Sequence, residues 1–300
     1  MDQENKLGII YATVAYILWG FLPIYWKLVQ HVPADEILAH RILWSFVFMI
    51  IIVLASGKLW PFFRECKLIL HDKKKLIGIS AASVIISINW LTFIWAVNSE
   101  HVVQASLGYY INPLVSILLG MIVLKESLSK RQLLSFILAA IGVINLTISF
   151  GVFPWVSLVL AFSFGLYGLL KKMVDIGAMF GLTIETMIVT PLALIYLIVI
   201  PDSTLAPDMM FSGSGALLFG AGIATAIPLL LFAAGAKRIP LSMVGFLQYI
   251  APTLMLILGV FLYDEPFTQA HLVSFLFIWV ALIIYMGSAR HKKPVRQKQV

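Results

Sequence analysis

Apolar runs of about twenty residues follow one another along the chain, each ended by a short polar break or one bearing glycine or proline. A helix needs roughly 20 residues to cross about 30 Å of hydrocarbon. Ten such runs lie at 7–27, 37–56, 76–97, 102–124, 132–149, 152–170, 180–200, 216–235, 241–263 and 269–287. The weakest boundary is the fifth to sixth, where only "SFGVFP" intervenes, and Gly151 and Pro154 there predict a tight turn. The first run lacks a small-residue cleavage site and reads as a retained helix, not a signal peptide. The pattern predicts an all-α integral membrane protein of ten transmembrane helices.

Composition agrees. With 61% hydrophobic and 12% charged residues among 300, neither a water-soluble nor a disordered chain fits. The net charge of +7 is distributed by topology. With the N-terminus inside, 19 of the 21 Lys and Arg fall on the inner side and none in the outer loops; Lys27 and Arg41 lie at span edges. This alternation predicts cytoplasmic termini. The basic tail "RHKKPVRQKQ" reads as a membrane-surface signal, and without interleaved aromatics it does not suggest nucleic acid. A single cysteine, Cys66, allows no internal disulfide or cysteine-based metal cluster.

The chain also repeats itself. "SLGYYINPLVSILLGMIVLKESL" (106–128) aligns without gaps to "GFLQYIAPTLMLILGVFLYDEPF" (245–267) at a shift of 139 residues. Tyr110 falls on Tyr249, Pro113 on Pro252, Gly120 on Gly259 and Glu126 on Glu265. A second match, shifted by 145, sets Gly20 on Gly165 and Lys27 on Lys172. Each half, 7–149 and 152–287, holds five spans, an odd number, so the second half enters the membrane upside down; residues 288–300 form the tail. Inverted repeats are a construction of secondary transporters, with the solute site near the midplane between halves.

These stretches, with "LTFIWAVNSEHVVQASLGYYINPL", resemble the EamA-type branch of the drug/metabolite transporter superfamily. Within it "EILAHRILWSF", "GLTIETMIVTPLAL", "LLLFAAGAKRIPLSMVGFLQYIAPTL" and "EPFTQAHLVSFLFIWVALIIY" resemble the RarD subfamily, whose name comes from an association with chloramphenicol sensitivity. The resemblance covers about 7–287 and implies a small-solute permease with a central cavity, in a branch spanning amino acids, metabolites and drugs.

Polar residues inside the spans are the candidate site. Arg41 either snorkels to outer headgroups, pairs with Asp35, Glu36 or a backbone carbonyl, or faces the interior and holds an anionic group with its planar fork. His40, four residues from Glu36, is a candidate proton-coupling group; no HExxH pattern is present and no metal site is expected. Glu185 either contacts Lys171 or Lys172 or acts as a coupling or gating carboxylate. Lys27 either snorkels or partners the solute or Asp35. Tyr109, Asn112 and Ser116 share one helical face, and Pro113 and Pro252 free the carbonyls of Tyr109 and Gln248. A polar stripe of this kind serves helix packing or lines a cavity. The candidate lining comprises Tyr109, Tyr110, Asn112, Asn89, Gln248 and Tyr249, with Trp90 and Trp19 as an aromatic wall and Trp95 as an interfacial anchor. "GALLFGAGIATAIP" reads as close helix packing, and "SGSG" lacks the rest of a phosphate loop.

An enzyme would need a nucleophile with its base, or metal ligands, at membrane depth, and neither is present in the pattern. The expectation is a permease with a lipid bilayer and a small solute as partners and no cofactor. The alternative is a non-transporting membrane sensor or assembly protein.

Overall fold

The computed structural model describes residues 3–98, 102–151, 153–201, 204–205, 212–264 and 267–289. Glu265 and residues 290–300 of the basic tail lie outside them. Among the described residues every regular element is an α-helix: α1 (Gln3–Leu28), α2 (Ala34–Ala55), α3 (Leu59–His71), α4 (Lys73–Asn98), α5 (Val102–Ile122), α6 (Lys130–Phe150), α7 (Trp155–Met173), α8 (Ala178–Val199), α9 (Gly213–Arg238), α10 (Leu241–Gln248), α11 (Ile250–Leu262) and α12 (Gln269–Ala289). By length and composition nine stretches among the described residues could cross a membrane, α10 and α11 counting together as one. α5 is the shorter apolar helix at the fourth expected span.

Local chemistry accounts for the ends. Gly151, at φ 70°, closes α6 in the left-handed conformation, and Pro154 precedes α7, which makes the tight turn expected from "SFGVFP". Ser129 and Gln132 form a reciprocal capping box at the start of α6. The ninth span is interrupted at Tyr249, because Pro252 offers no N–H to the Gln248 carbonyl. Its repeat counterpart α5 runs through Pro113 unbroken. The other departure from the sequence reading is α3, a helix where a loop around Cys66 was expected. Its Phe62 and Ile69 pack with Val53 and Ile79 while Trp60 and Phe63 are exposed.

The dominant packing joins helices before Gly151 to helices after it. α1 lies on α9 and α11, α7 lies on α4 and α5, and α2 crosses α8 and α9. α5 meets α10, and α6 meets α12. Glycines set the closest approaches. A Cβ on Gly222 would lie 2.4 Å from the Trp44 backbone, so α9 reaches α2 closely enough for Ser45 Oγ to donate to the Gly222 carbonyl at 2.9 Å. Large side chains such as Ile148, Leu192 and Phe261 remain fully presented at the surface, which suits lipid and not water.

Candidate functional site

The second helix carries Arg41 half-buried toward α1, α4 and α9. Its Nε–H donates to Thr225 Oγ1 at 3.0 Å. The guanidinium lies over Trp26 at 4.7 Å and over Trp90 at 5.7 Å from the ring centroids. Both rings attract the cation through their negative faces. Tyr109, from α5, comes close enough to interact electrostatically with the same charge. Among the described residues no carboxylate stands within 4.0 Å of Arg41. The two acids one turn away are engaged elsewhere: Tyr196 donates to Asp35 at 2.6 Å, and Thr204 donates to Glu36 from its amide at 2.6 Å and its hydroxyl at 2.7 Å. The pairing of Arg41 with Asp35 or Glu36 is therefore not made, and its two terminal amino groups keep their donors.

His40 faces differently. Its Nδ1 accepts from Trp44 Nε1–H at 3.1 Å, so in the neutral ring Nε2 carries the proton and donates to Thr204 Oγ1 at 2.8 Å. Thr204 passes the chain on to Glu36, and this network ties the start of α2 to the segment after α8.

At the other end of the molecule the charges are matched. Lys171 Nζ donates to Glu185 Oε1 at 2.7 Å and Tyr167 Oη to Oε2 at 3.0 Å, with the lysine and glutamate side chains only 6% and 5% exposed. Glu185 borders two cavities of about 10 Å³ each, room for about one water apiece. One is lined by Ile79, Lys171 and Lys237; the other by Ile42, Trp90, Thr186 and Leu229. Trp90 thus has one face toward Arg41 and an edge on the cavity that reaches Glu185. An organic solute does not fit either of these two cavities.

The remaining candidates divide between cavity and packing. Asn89 spends its amide on the Leu160 carbonyl at 2.9 Å and Ser163 Oγ at 2.8 Å, joining α4 to α7. Tyr110 and Tyr249 are buried together in the apolar cluster of α5, α6 and α12. Ser116 donates to Gln248 Oε1 at 3.4 Å across the α5–α10 contact, and Asn112 Oδ1 is buried beside them with no protein partner. Trp19 joins Tyr16, Phe164 and Phe232 in a closed aromatic cluster. Trp95 is partly exposed against Trp155, 5.2 Å between rings. Lys27 lies 3.5 Å over the Tyr263 ring. Sequence reasoning missed Trp26 and Thr225, since an indole or a lone threonine is ordinary in a membrane helix and only the packing of α1 and α9 against α2 brings them to Arg41.

A family model described as the EamA-like transporter family matches residues 6–148 and again 153–287. The "Uncharacterized transporter YojE" of Bacillus subtilis is 49% identical over 288 residues, covering 95% of each chain. "Protein RarD" of Escherichia coli is 45% identical over 288 residues, covering 96% of each. A solved crystal structure superposes with a TM-score of 0.71 at 17% identity, covering 94% of this chain and 97% of that one, a likeness of fold alone. The chain belongs to the EamA-like transporter family, in its RarD subfamily, and is a multi-pass membrane transporter.

Proposed function

We propose that this transporter moves a small organic solute by alternating access, with Arg41 receiving a carboxylate or other anionic group of the solute. Ten spans form two inverted five-helix repeats, 7–149 and 152–287, with both termini and the tail cytoplasmic. Packing supports the repeat. A Cβ on Gly20 would lie 2.7 Å from Leu254, and one on Gly165 would lie 2.8 Å from Val115. The shift of 145 carries Gly20 onto Gly165, and the shift of 139 carries Val115 onto Leu254. The same contact is therefore made twice with the halves exchanged, as an in-plane two-fold axis requires.

The observation that carries the site is the open fork of Arg41. A guanidinium inside the apolar region with no counter-charge within 4.0 Å among the described residues is costly unless an anion completes it, and its planar donors suit a carboxylate. Trp26, Trp90 and Thr225 fix the fork's plane. Tyr109 adds a hydroxyl on the solute side, and Asn112 and Gln248 supply amide groups along α5 and α10. Glu185, held by Lys171 and Tyr167, gates the opposite end, and its pairing must loosen as that end opens.

The test is a thermal-shift screen of the purified protein against amino acids, organic acids, sugars and drugs, chloramphenicol included, run beside Arg41→Gln. Stabilisation by carboxylate-bearing compounds that is lost in the variant supports the reading. Equal stabilisation in the variant removes Arg41 from the mechanism.

A further inference from the structure

A third carboxylate, Glu126, accepts three hydrogen bonds and touches neither Arg41 nor Glu185. Glu126, in the turn after α5, accepts from the backbone N–H of Leu241 at 2.6 Å through Oε1. Its Oε2 accepts from the N–H of Ser242 at 2.8 Å and from the Ser242 hydroxyl at 2.6 Å. These donors open α10, whose N-cap residue, Pro240, has no side-chain acceptor. The cap is supplied instead from a segment more than a hundred residues away, and a negative charge there also complements the helix dipole.

The backbone is shaped for this contact. Lys125 has φ 52°, a left-handed turn that sends Glu126 back across the end of α5. A Cβ on Gly120 would lie 2.8 Å from Glu126 Oε2 and 3.0 Å from the Ser242 nitrogen, so glycine leaves the space the carboxylate occupies. The preceding turn is gripped with the opposite sign. Lys172 Nζ donates to the Ala236 carbonyl at 3.2 Å and the Ile239 carbonyl at 2.6 Å, the last acceptors of α9. The connection from α9 to α10 is thus held at both helix ends by charges from the α5–α6 turn and from α7. α10 itself spans eight residues between this grip and the break at Tyr249. It lies against α5 through Gly245, where a Cβ would meet the Pro113 carbonyl at 2.7 Å.

We propose that Glu126 is the latch of the gate at its end of the molecule. α10 acts as a short lever hinged at Tyr249; the carboxylate holds its free end while the cavity is closed on that side and releases it when the cavity opens there. The inference rests on the alternating-access reading. Asp264, which falls on Lys125 at the shift of 139, has the same φ of 52°, so the turn that aims the latch is repeated at the opposite end of the fold.

The experiment places one reporter, Thr186→Cys, at the cavity in a Cys66→Ser background and labels it with a membrane-impermeant maleimide from each face of oriented vesicles. In Glu126→Ala, labelling from the Glu126 face is expected to rise about tenfold relative to the opposite face, the scale of losing a charge-assisted hydrogen bond. Ser242→Ala, which removes one donor and keeps the two amides, is expected to move the ratio the same way by about threefold. It keeps the test decisive should Glu126→Ala fail to fold. A parent labelled from both faces, with a ratio that neither variant moves, overturns the latch alone. A parent labelled from one face only, with solute present or absent, overturns alternating access and the latch with it.

Discussion

The two ends of the transporter handle buried charge in opposite ways. At the Glu185 end these buried or half-buried charges are answered: Lys171 meets Glu185 at 2.7 Å, Lys172 sits on the closing carbonyls of α9, and Glu126 sits on the opening amides of α10. At the Arg41 end the cation rests on two indole faces and one hydroxyl, and the nearby acids bond to Tyr196 and Thr204. A self-compensated cluster lacks an empty valence for a ligand. An uncompensated cation inside a protein is costly until something binds it. The contrast is between a set of matched charges and an open cation within one small protein.

The comparison breaks first at the ion pair. Lys171→Met leaves the Glu185 carboxylate buried with only Tyr167, and the expected loss is about 3 kcal/mol of stability, read as a fall in thermal midpoint of detergent-purified protein. Lys171→Met combined with Glu185→Gln should recover most of it. If the single variant melts with the parent, the pair is not buried as described. Arg41→Gln should do the reverse, leaving the solute-free midpoint within about 1 kcal/mol while lowering solute uptake about tenfold or more. Arg41→Lys keeps the charge and loses the fork, so partial activity is expected. A smaller effect belongs to Trp26→Leu. Losing one cation–π face is worth about 1 kcal/mol, seen as a roughly fivefold higher solute concentration needed for the same thermal shift. Smallest is the background reaction of Cys66 in any labelling comparison of the two ends. Burial pushes its thiol above the usual range, so less thiolate is present at neutral pH. Alkylation should be slower than that of a free thiol by a few-fold and should quicken as pH rises; a rate equal to free cysteine would contradict the half-buried position on α3.

Much of the architecture was legible because a bilayer imposes a length on every apolar run. The tight turn at Gly151 and Pro154 could be read from residues with few backbone options. α3 could not, since thirteen mixed residues around Cys66 carry no run long enough to register as a span. Among candidate site residues, Arg41 and Glu185 were visible as costly charges. Asn89, Tyr110 and Tyr249 were equally visible, yet the structure sends the first to α7 carbonyl and hydroxyl groups and the other two into apolar packing. A polar atom in a membrane helix needs a partner, but its position in the chain does not say whether that partner is another helix or a solute.

The sequence by itself determined the membrane class, the approximate limits of the helices, the expectation of two matched halves and the charged residues that need an explanation. These follow from local composition and from spacing, which act before any helix meets another. Tertiary structure decided which charge is answered and which is left open, and that Glu126 caps a helix beyond position 240. Those outcomes depend on contacts between different segments, from 14 residues apart for Lys171 and Glu185 to 184 for Arg41 and Thr225, where a difference of a few ångströms separates an ion pair from an unpaired charge.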